Sequence, residues 1–97
     1  MKILNLTLKK KWFDMIASGE KKEEYRECKP YFHSRLRNKG TYTIKHFDFV
    51  TFKNGYSKDA PTITLKFIET QIRWGKQEWG AIPGEIYYVI MLGDIVK

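Results

Sequence analysis

The 97-residue sequence holds a single cysteine, Cys28, and only three prolines. One cysteine excludes an internal disulfide and fits a reducing compartment, so a cytoplasmic location is expected. Long hydrophobic runs are missing as well. No apolar stretch approaches the ~20 residues that cross a bilayer, and no membrane partner is expected. The N-terminal "MKILNLTLKKKWF" carries one lysine before a short apolar stretch that Asn5 and Thr7 interrupt, which is not the layout of a signal peptide. Cys28, His33 and His46 lack metal-ligand spacing, and there is no phosphate-cradling glycine loop. Neither a metal nor another cofactor is therefore expected. Repeats, low-complexity tracts and linkers are also absent. The chain reads as one domain, residues 1–97, because two cores would each be too small to offset their chain entropy. No pattern specifies an oligomeric state.

Against these absences stand 42% hydrophobic residues, with six Phe, six Tyr and three Trp. That is ample for a core and argues against disorder. The charge is unevenly placed. Residues 1–46 hold twelve Lys or Arg against five acids, and residues 47–97 hold six against six, so the whole excess of seven lies in the first half. Between Lys29 and Lys45, the cations Lys29, Arg35, Arg37, Lys39 and Lys45 occur with no acid, and Tyr31, Phe32, His33 and Tyr42 are interleaved with them. Cations that reach phosphates, mixed with rings that stack on bases, suit a nucleic-acid surface. A lysine-rich face that only keeps the protein soluble is the alternative.

The pattern of elements is α+β. "KILNLT" reads as a short first strand. Thr7 is placed to cap a helix whose apolar residues Leu8, Trp12 and Ile16 recur every four positions, and Gly19 to end it as a left-handed C′ residue. "KKEEYRE" looks extended. Pro30 suits the first turn of a second helix, "PYFHSRLR". "FDFVTF" runs into "KNGY", where Asn54-Gly55 is expected to supply positive φ. "TITLKFIETQIRW" alternates Ile63, Leu65 and Phe67, then shifts phase to Ile68 and Ile72, the mark of a bulge. "EIYYVIML" is apolar on both faces and predicts an interior strand covered on each side. About five strands and two helices in so short a chain predict a bent or closed small barrel.

The stretch "GEKKEEYREC", Gly19 to Cys28, crowds seven charges of both signs into ten positions. In an extended strand Lys22, Glu24 and Arg26 share one face, and Glu23 and Tyr25 the other. Glu24 and Arg26 are then about 7 Å apart, near enough to bias each other's charge. Lys21 falls out of phase unless the helix exit at Gly19 and Glu20 turns it to the same side. A charged strand edge that guards against aggregation accounts for the same residues.

Gly19-x-Lys21-x-x-Glu24-x-Arg26 resembles the G-x-K-x-x-E-x-R signature of the ASCH (activating signal cointegrator homology) domain family of the PUA-like superfamily. "LKKKWFDMIASGEK" resembles the family's amphipathic helix. "FKNGY" and "EWGAIPG" followed by "YYVIMLG" resemble its middle turn and closing strand. The resemblance covers about residues 2 to 95. It implies a small PUA-like β-barrel of five to six strands with two helices beside it, and a cleft lined by Lys21, Glu24 and Arg26. It also implies RNA or a modified nucleotide as partner.

The residue types fit such a site. Arg26 offers a planar fork of donors for a phosphate or carbonyl oxygen. Lys21 is a compact cation whose pKa a cleft can lower. Glu24 can orient either cation, accept hydrogen bonds from a base edge, or act as acid or base. Tyr56 and Trp79 are candidates to stack on a base or to pack in the core. Lys29, His33, Arg35, Arg37, Lys39 and Lys45 are the candidate backbone contacts. A pairing of Cys28 with His33 is conceivable chemistry with no spacing to fix it.

The resemblance extends to amidohydrolases of N4-acetylcytidine, whose G-x-K-T-x-T-x-R pattern carries a lysine activator, a threonine nucleophile and a later loop glutamate. Lys21 and Arg26 fall on that pattern and Glu78 is the candidate for the glutamate, so Lys21, Glu24 and Glu78 would be the catalytic set of an enzyme. Glu24 stands at the threonine position. A carboxylate is a poor substitute for an alkoxide in amide cleavage, and beside Lys21 it is expected to keep the lysine protonated. A binding domain is therefore expected, with a hydrolase of a modified nucleoside or a ribonuclease as the alternative, and a protein-interaction adaptor as a third.

Overall fold

In the computed structural model, which describes residues 1–96, strand β1 (Ile3–Leu8) places Leu4, Leu6 and Leu8 in the core at every second position. The strand thus runs past Thr7, expected to cap a helix, to Leu8, expected within that helix. Helix α1 (Lys10–Ala17) begins after Lys9, and no side chain caps it. Burial of Leu8 contributes about 1.5–3 kcal/mol, more than the ~1 kcal/mol a threonine cap contributes. The period of two therefore wins at this boundary. Phe13 and Ile16 bury the inner side of α1. Gly19, at φ 85°, then ends the helix in the left-handed region as expected.

Strand β2 (Glu23–Glu27) follows, then α2 (Pro30–Leu36), with Pro30 in its first turn and Leu36 fully buried. The remaining strands are β3 (Phe49–Asn54), β4 (Thr62–Trp74) and β5 (Ile86–Ile95). Between β3 and β4, Gly55 alone takes positive φ, at 92°, and Asn54 keeps its strand conformation. A single 3-10 turn, Gln77–Trp79, lies in the β4–β5 connection.

One mixed sheet joins the strands in the order β1-β3-β4-β5-β2. β1 and β3 run parallel, and the other neighbours are antiparallel. The register of β4 against β5 slips between Leu65 and Phe67 and again between Phe67 and Glu69. Such irregularities bend a strand and sharpen its twist, and the sheet curls into a half-barrel. The phase shift read from the sequence is real. Ile68 and Ile72 nevertheless remain exposed, so the buried side beyond the bulge is not theirs. β5 lies inside the sheet, and Tyr87, Tyr88, Val89 and Ile90 are all buried. Tyr88 and Ile90 belong to the main core, and Tyr87 and Val89 to a second cluster with Ala81 on the other face. No helix among the described residues is long and apolar enough to cross a membrane.

The strand order leaves β1 and β2 as the two open edges. Across that seam the Arg26 guanidinium on β2 donates from Nη2 to the Thr7 carbonyl on β1, at 3.1 Å. A side chain, instead of a strand ladder, links the edges of the half-barrel.

Candidate functional site

The seam carries the clustered charges. Glu24 and Arg26 pair in register with Ile90 and Tyr88, on the face of β2 that meets the main core. Glu23 and Tyr25 occupy the opposite face. Lys21 precedes the strand, and its backbone N–H donates to the Met15 carbonyl at 3.0 Å, so the helix exit folds back and turns the side chain inward. Lys22 is exposed and takes no part.

Glu24 is the hub. Its Oε1 accepts from Lys21 Nζ at 2.6 Å and from the Tyr25 backbone N–H at 3.1 Å, and its Oε2 accepts from Arg26 Nη2 at 2.7 Å. A carboxylate has about four acceptor positions, so three bonds nearly saturate it and fix its orientation. Lys21 is 1% exposed. Its ammonium lies 5.2 Å from the Trp12 ring centroid and 5.3 Å from that of Tyr25. Burial pushes Lys21 below the usual lysine value of 10.5. Glu24 opposes this through charge and hydrogen bond, and the Arg26 charge adds to it. Loss of hydration and the ion pair thus act in opposite directions on Lys21, and loss of hydration is the larger effect.

A cleft of about 230 Å³ opens at the seam, lined by Thr7, Trp12, Glu24, Arg26, Trp79 and Gly80 among others. Lys21 does not line it. The expected trio is therefore assembled, but Lys21 stands behind Glu24 and reaches the cleft only through that carboxylate. Arg26 is held along one edge by Glu24 and Thr7, while its Nε is buried with no hydrogen-bond partner. Phe32 lies 5.7 Å from the guanidinium carbon. Gly80, at φ 102°, is where the loop passes over Trp12; a Cβ there would stand 2.9 Å from the indole. Only glycine allows that approach.

The other expected residues fall in several places. Trp79 is half-buried in the cleft wall, with Lys76 Nζ 4.4 Å over its ring. Tyr56 is 89% exposed, so it is not core. It lines an adjoining cleft of about 190 Å³ together with Arg26, Tyr31 and Arg35. Glu78 is exposed on the 3-10 turn and does not line the Lys21–Glu24–Arg26 cleft. Of the three residues of the enzymatic alternative, Lys21 and Glu24 are paired, and Glu78 stands outside the cleft they border or back.

The basic segment is divided by α2. Arg35 donates to the Asn5 carbonyl at 2.9 Å and to the Tyr31 hydroxyl at 3.2 Å, on the seam side. His33, Arg37, Lys39 and Lys45 line a separate groove of about 690 Å³. His33 is half-buried, and its Nδ1 is hydrogen-bonded to the Tyr88 hydroxyl. That makes it part of the groove floor, where a plain surface contact was expected, and takes up one ring nitrogen that a pairing with exposed Cys28 would use. Lys29 pairs with Glu27 at 2.9 Å, out in solvent.

Sequence reasoning missed Trp12 and the Thr7 carbonyl. Trp12 was assigned to the buried helix face; its place directly after Lys9, Lys10 and Lys11 is the one signal that it borders polar surroundings. The carbonyl carries no sequence signal. Among the described residues, no group of three or more His, Cys, Asp or Glu side chains is placed to hold a metal ion. Comparison with protein-family models, curated proteins and solved structures gives no match to the chain.

Proposed function

We propose that this chain is an RNA- or nucleotide-binding domain of the ASCH kind, acting in the cytoplasm, which takes a base at the seam cleft and phosphates along the cations between Lys29 and Lys45. One observation carries the reading. A guanidinium is locked along one edge by Glu24 and the Thr7 carbonyl, beside two tryptophans, in a cleft of about 230 Å³. A preset planar fork next to aromatic faces suits a base edge or phosphate oxygen. Lys21 supports it as a positioning residue, holding Glu24 in place from behind.

The test is titration of single-stranded RNA at several salt concentrations, followed by tryptophan fluorescence. The logarithm of affinity falls against the logarithm of salt with a slope near −0.7 for each phosphate neutralised. Reversal of Arg35 and Arg37 to Glu weakens binding to all sequences alike and flattens that slope. Salt-independent binding, or none at low salt, overturns the reading.

The hydrolase alternative draws support from the lowered pKa of Lys21, as a general base requires. It lacks a hydroxyl nucleophile, since Glu24 takes that position. The natural protein is expected to release no acetate from N4-acetylcytidine by chromatography. Turnover that disappears in Lys21→Ala would make it an enzyme.

A further inference from the structure

Two small clefts meet at Arg26. One, of about 230 Å³, contains Trp12 and Trp79; the other, of about 190 Å³, contains Tyr31, Arg35 and Tyr56. Thr7 and Arg26 line both. Pockets that enclose drug-sized ligands begin at roughly 300 Å³. A whole nucleotide is a ligand of that size, and neither cleft alone reaches it. A flat base is smaller and suits each.

The junction is cationic. Arg26 uses Nη2 for Glu24 and Thr7, while Arg35 uses Nη1 for the Tyr31 hydroxyl and Nη2 for the Asn5 carbonyl. Each guanidinium has five donors, so both keep donors beyond those bonds. Among the described residues, Glu24 is the only acid lining either cleft, and it is already committed to Lys21 and Arg26. A singly charged phosphodiester is the chemistry that two such forks on one cleft would bind.

The second cleft presents rings to solvent. Tyr31 is 58% exposed and Tyr56 is 89% exposed. Tyr31 is backed by Arg35, whose guanidinium carbon lies 5.7 Å from the ring centroid. Tyr56 is delivered to the seam by its neighbour. The Gly55 backbone N–H donates to the Leu8 carbonyl at 3.0 Å, and its φ of 92° turns the chain there. Exposed rings beside uncommitted guanidinium donors are a stacking platform for a second base.

We propose that the seam reads two consecutive nucleotides of a single strand. The first base enters the Trp12–Trp79 cleft, the bridging phosphate lies between Arg26 and Arg35, and the second base stacks at Tyr31 and Tyr56. The proposal rests on the RNA-binding reading above and narrows its ligand to a dinucleotide step. A protein that reads one isolated nucleoside needs neither Tyr56 nor Arg35 at this position.

Calorimetric titration of the full chain with the dinucleoside monophosphates ApA, CpC, GpG and UpU, and with the four nucleoside 3′-monophosphates, tests this. Stacking of the second base raises affinity by about 5- to 150-fold over the matching monophosphate. Tyr56→Ala, at an exposed position where folding is not at stake, brings that ratio back towards one, and Tyr31→Ala does the same. Equal affinity of dinucleotide and monophosphate in the natural protein overturns the two-nucleotide proposal and leaves a single-base site. A ratio that survives both tyrosine substitutions overturns the assignment of the second cleft. Failure of every nucleotide and of single-stranded RNA overturns the binding reading itself, and this proposal with it.

Discussion

The two faces of β2 carry the same ingredients for different ends. On the outer face, Glu23 forms an ion pair with Arg73 of β4, and Tyr25 donates its hydroxyl proton to Glu23 Oε1 at 2.8 Å. That same hydroxyl accepts the Lys76 backbone N–H at 2.9 Å. A Cβ on Gly75 would stand 2.5 Å from the Tyr25 ring, so the loop lies directly on it. Every group in this cluster ties one segment to another. On the inner face, Glu24 joins Lys21 to Arg26, yet Arg26 keeps donors beyond its bonds and borders a cleft. The outer cluster is a strut that holds the β4–β5 connection, and with it Trp79, against β2. The inner cluster is a held guanidinium. Charge crowding alone therefore does not mark a site, and neither does a neighbouring cleft. Glu23 borders one of about 500 Å³ and Tyr25 lines the seam cleft. The Glu23 carboxylate and Tyr25 hydroxyl are, however, committed to partners within the fold, whereas Arg26 keeps donors beyond its bonds.

The comparison breaks first on stability. Removal of Glu24 leaves Lys21, 1% exposed, without its carboxylate. Breaking a buried pair from one side costs about 3–5 kcal/mol, so Glu24→Ala lowers the melting temperature by roughly 4–8 °C for each of those. Glu23→Ala leaves Arg73, whose side chain is 37% exposed, free to turn to water. Its loss is expected at about 1.5–3 kcal/mol, the range for hydrogen bonds to a charged group. Urea unfolding of the two variants measures the gap; equal losses would make the inner cluster no more buried in effect than the strut.

A smaller effect sharpens the same contrast through pH. Burial lowers the folded-state pKa of Lys21 below 10.5. The unfolded chain therefore binds more protons between that lowered value and 10.5, and stability contributed by this group rises with pH across the window. Glu23 acts with the opposite origin. Burial alone would raise its pKa, but hydrogen bonds from Arg73 and Tyr25, together with nearby positive charge, outweigh burial and hold it below 4.5. Its contribution is present above that value and is lost as pH falls through the lowered one. The stability of the natural protein relative to Lys21→Met should rise with pH between the lowered Lys21 value and 10.5, and its stability relative to Glu23→Gln should fall as pH drops through the lowered Glu23 value. Denaturant midpoints across pH show both slopes, and their absence would mean neither group is perturbed in the fold.

Much of the scaffold could be read from residue order because single physical signals governed each element. The unbroken apolar run of β5 demands cover on both faces, and Tyr87 to Ile90 have it. Gly19 and Pro30 punctuate the helices where their backbone limits require. The α1 boundary failed because a cap preference at Thr7 competed with core burial of Leu8, and only the parallel pairing of β1 with β3 decides it. At the site, strand alternation brought Glu24 and Arg26 to one face, but it could not bring Lys21 there. That placement depends on the backbone hydrogen bond to Met15 after the left-handed Gly19. The basic segment looked continuous in the sequence, but α2 ends at Leu36 and the chain leaves it extended at Arg37. Arg35 and Arg37 accordingly border different clefts. Tyr56 gave no sign of lying beside Arg26, because their nearness comes from tertiary closure across the seam.

The central claim is that Arg26 serves a ligand while Arg73, its counterpart on the other face of the sheet, serves the fold. Titration of single-stranded RNA at low salt into Arg26→Ala and Arg73→Ala, at a temperature where unfolding curves show both to be folded, tests it most directly. The account predicts that Arg26→Ala loses at least tenfold in affinity, as expected for about 1.4 kcal/mol or more of a charge-assisted contact, and that Arg73→Ala binds within about twofold of the natural protein. RNA affinity in Arg26→Ala equal to that of the natural protein would contradict it, and the inner cluster would then be a second strut.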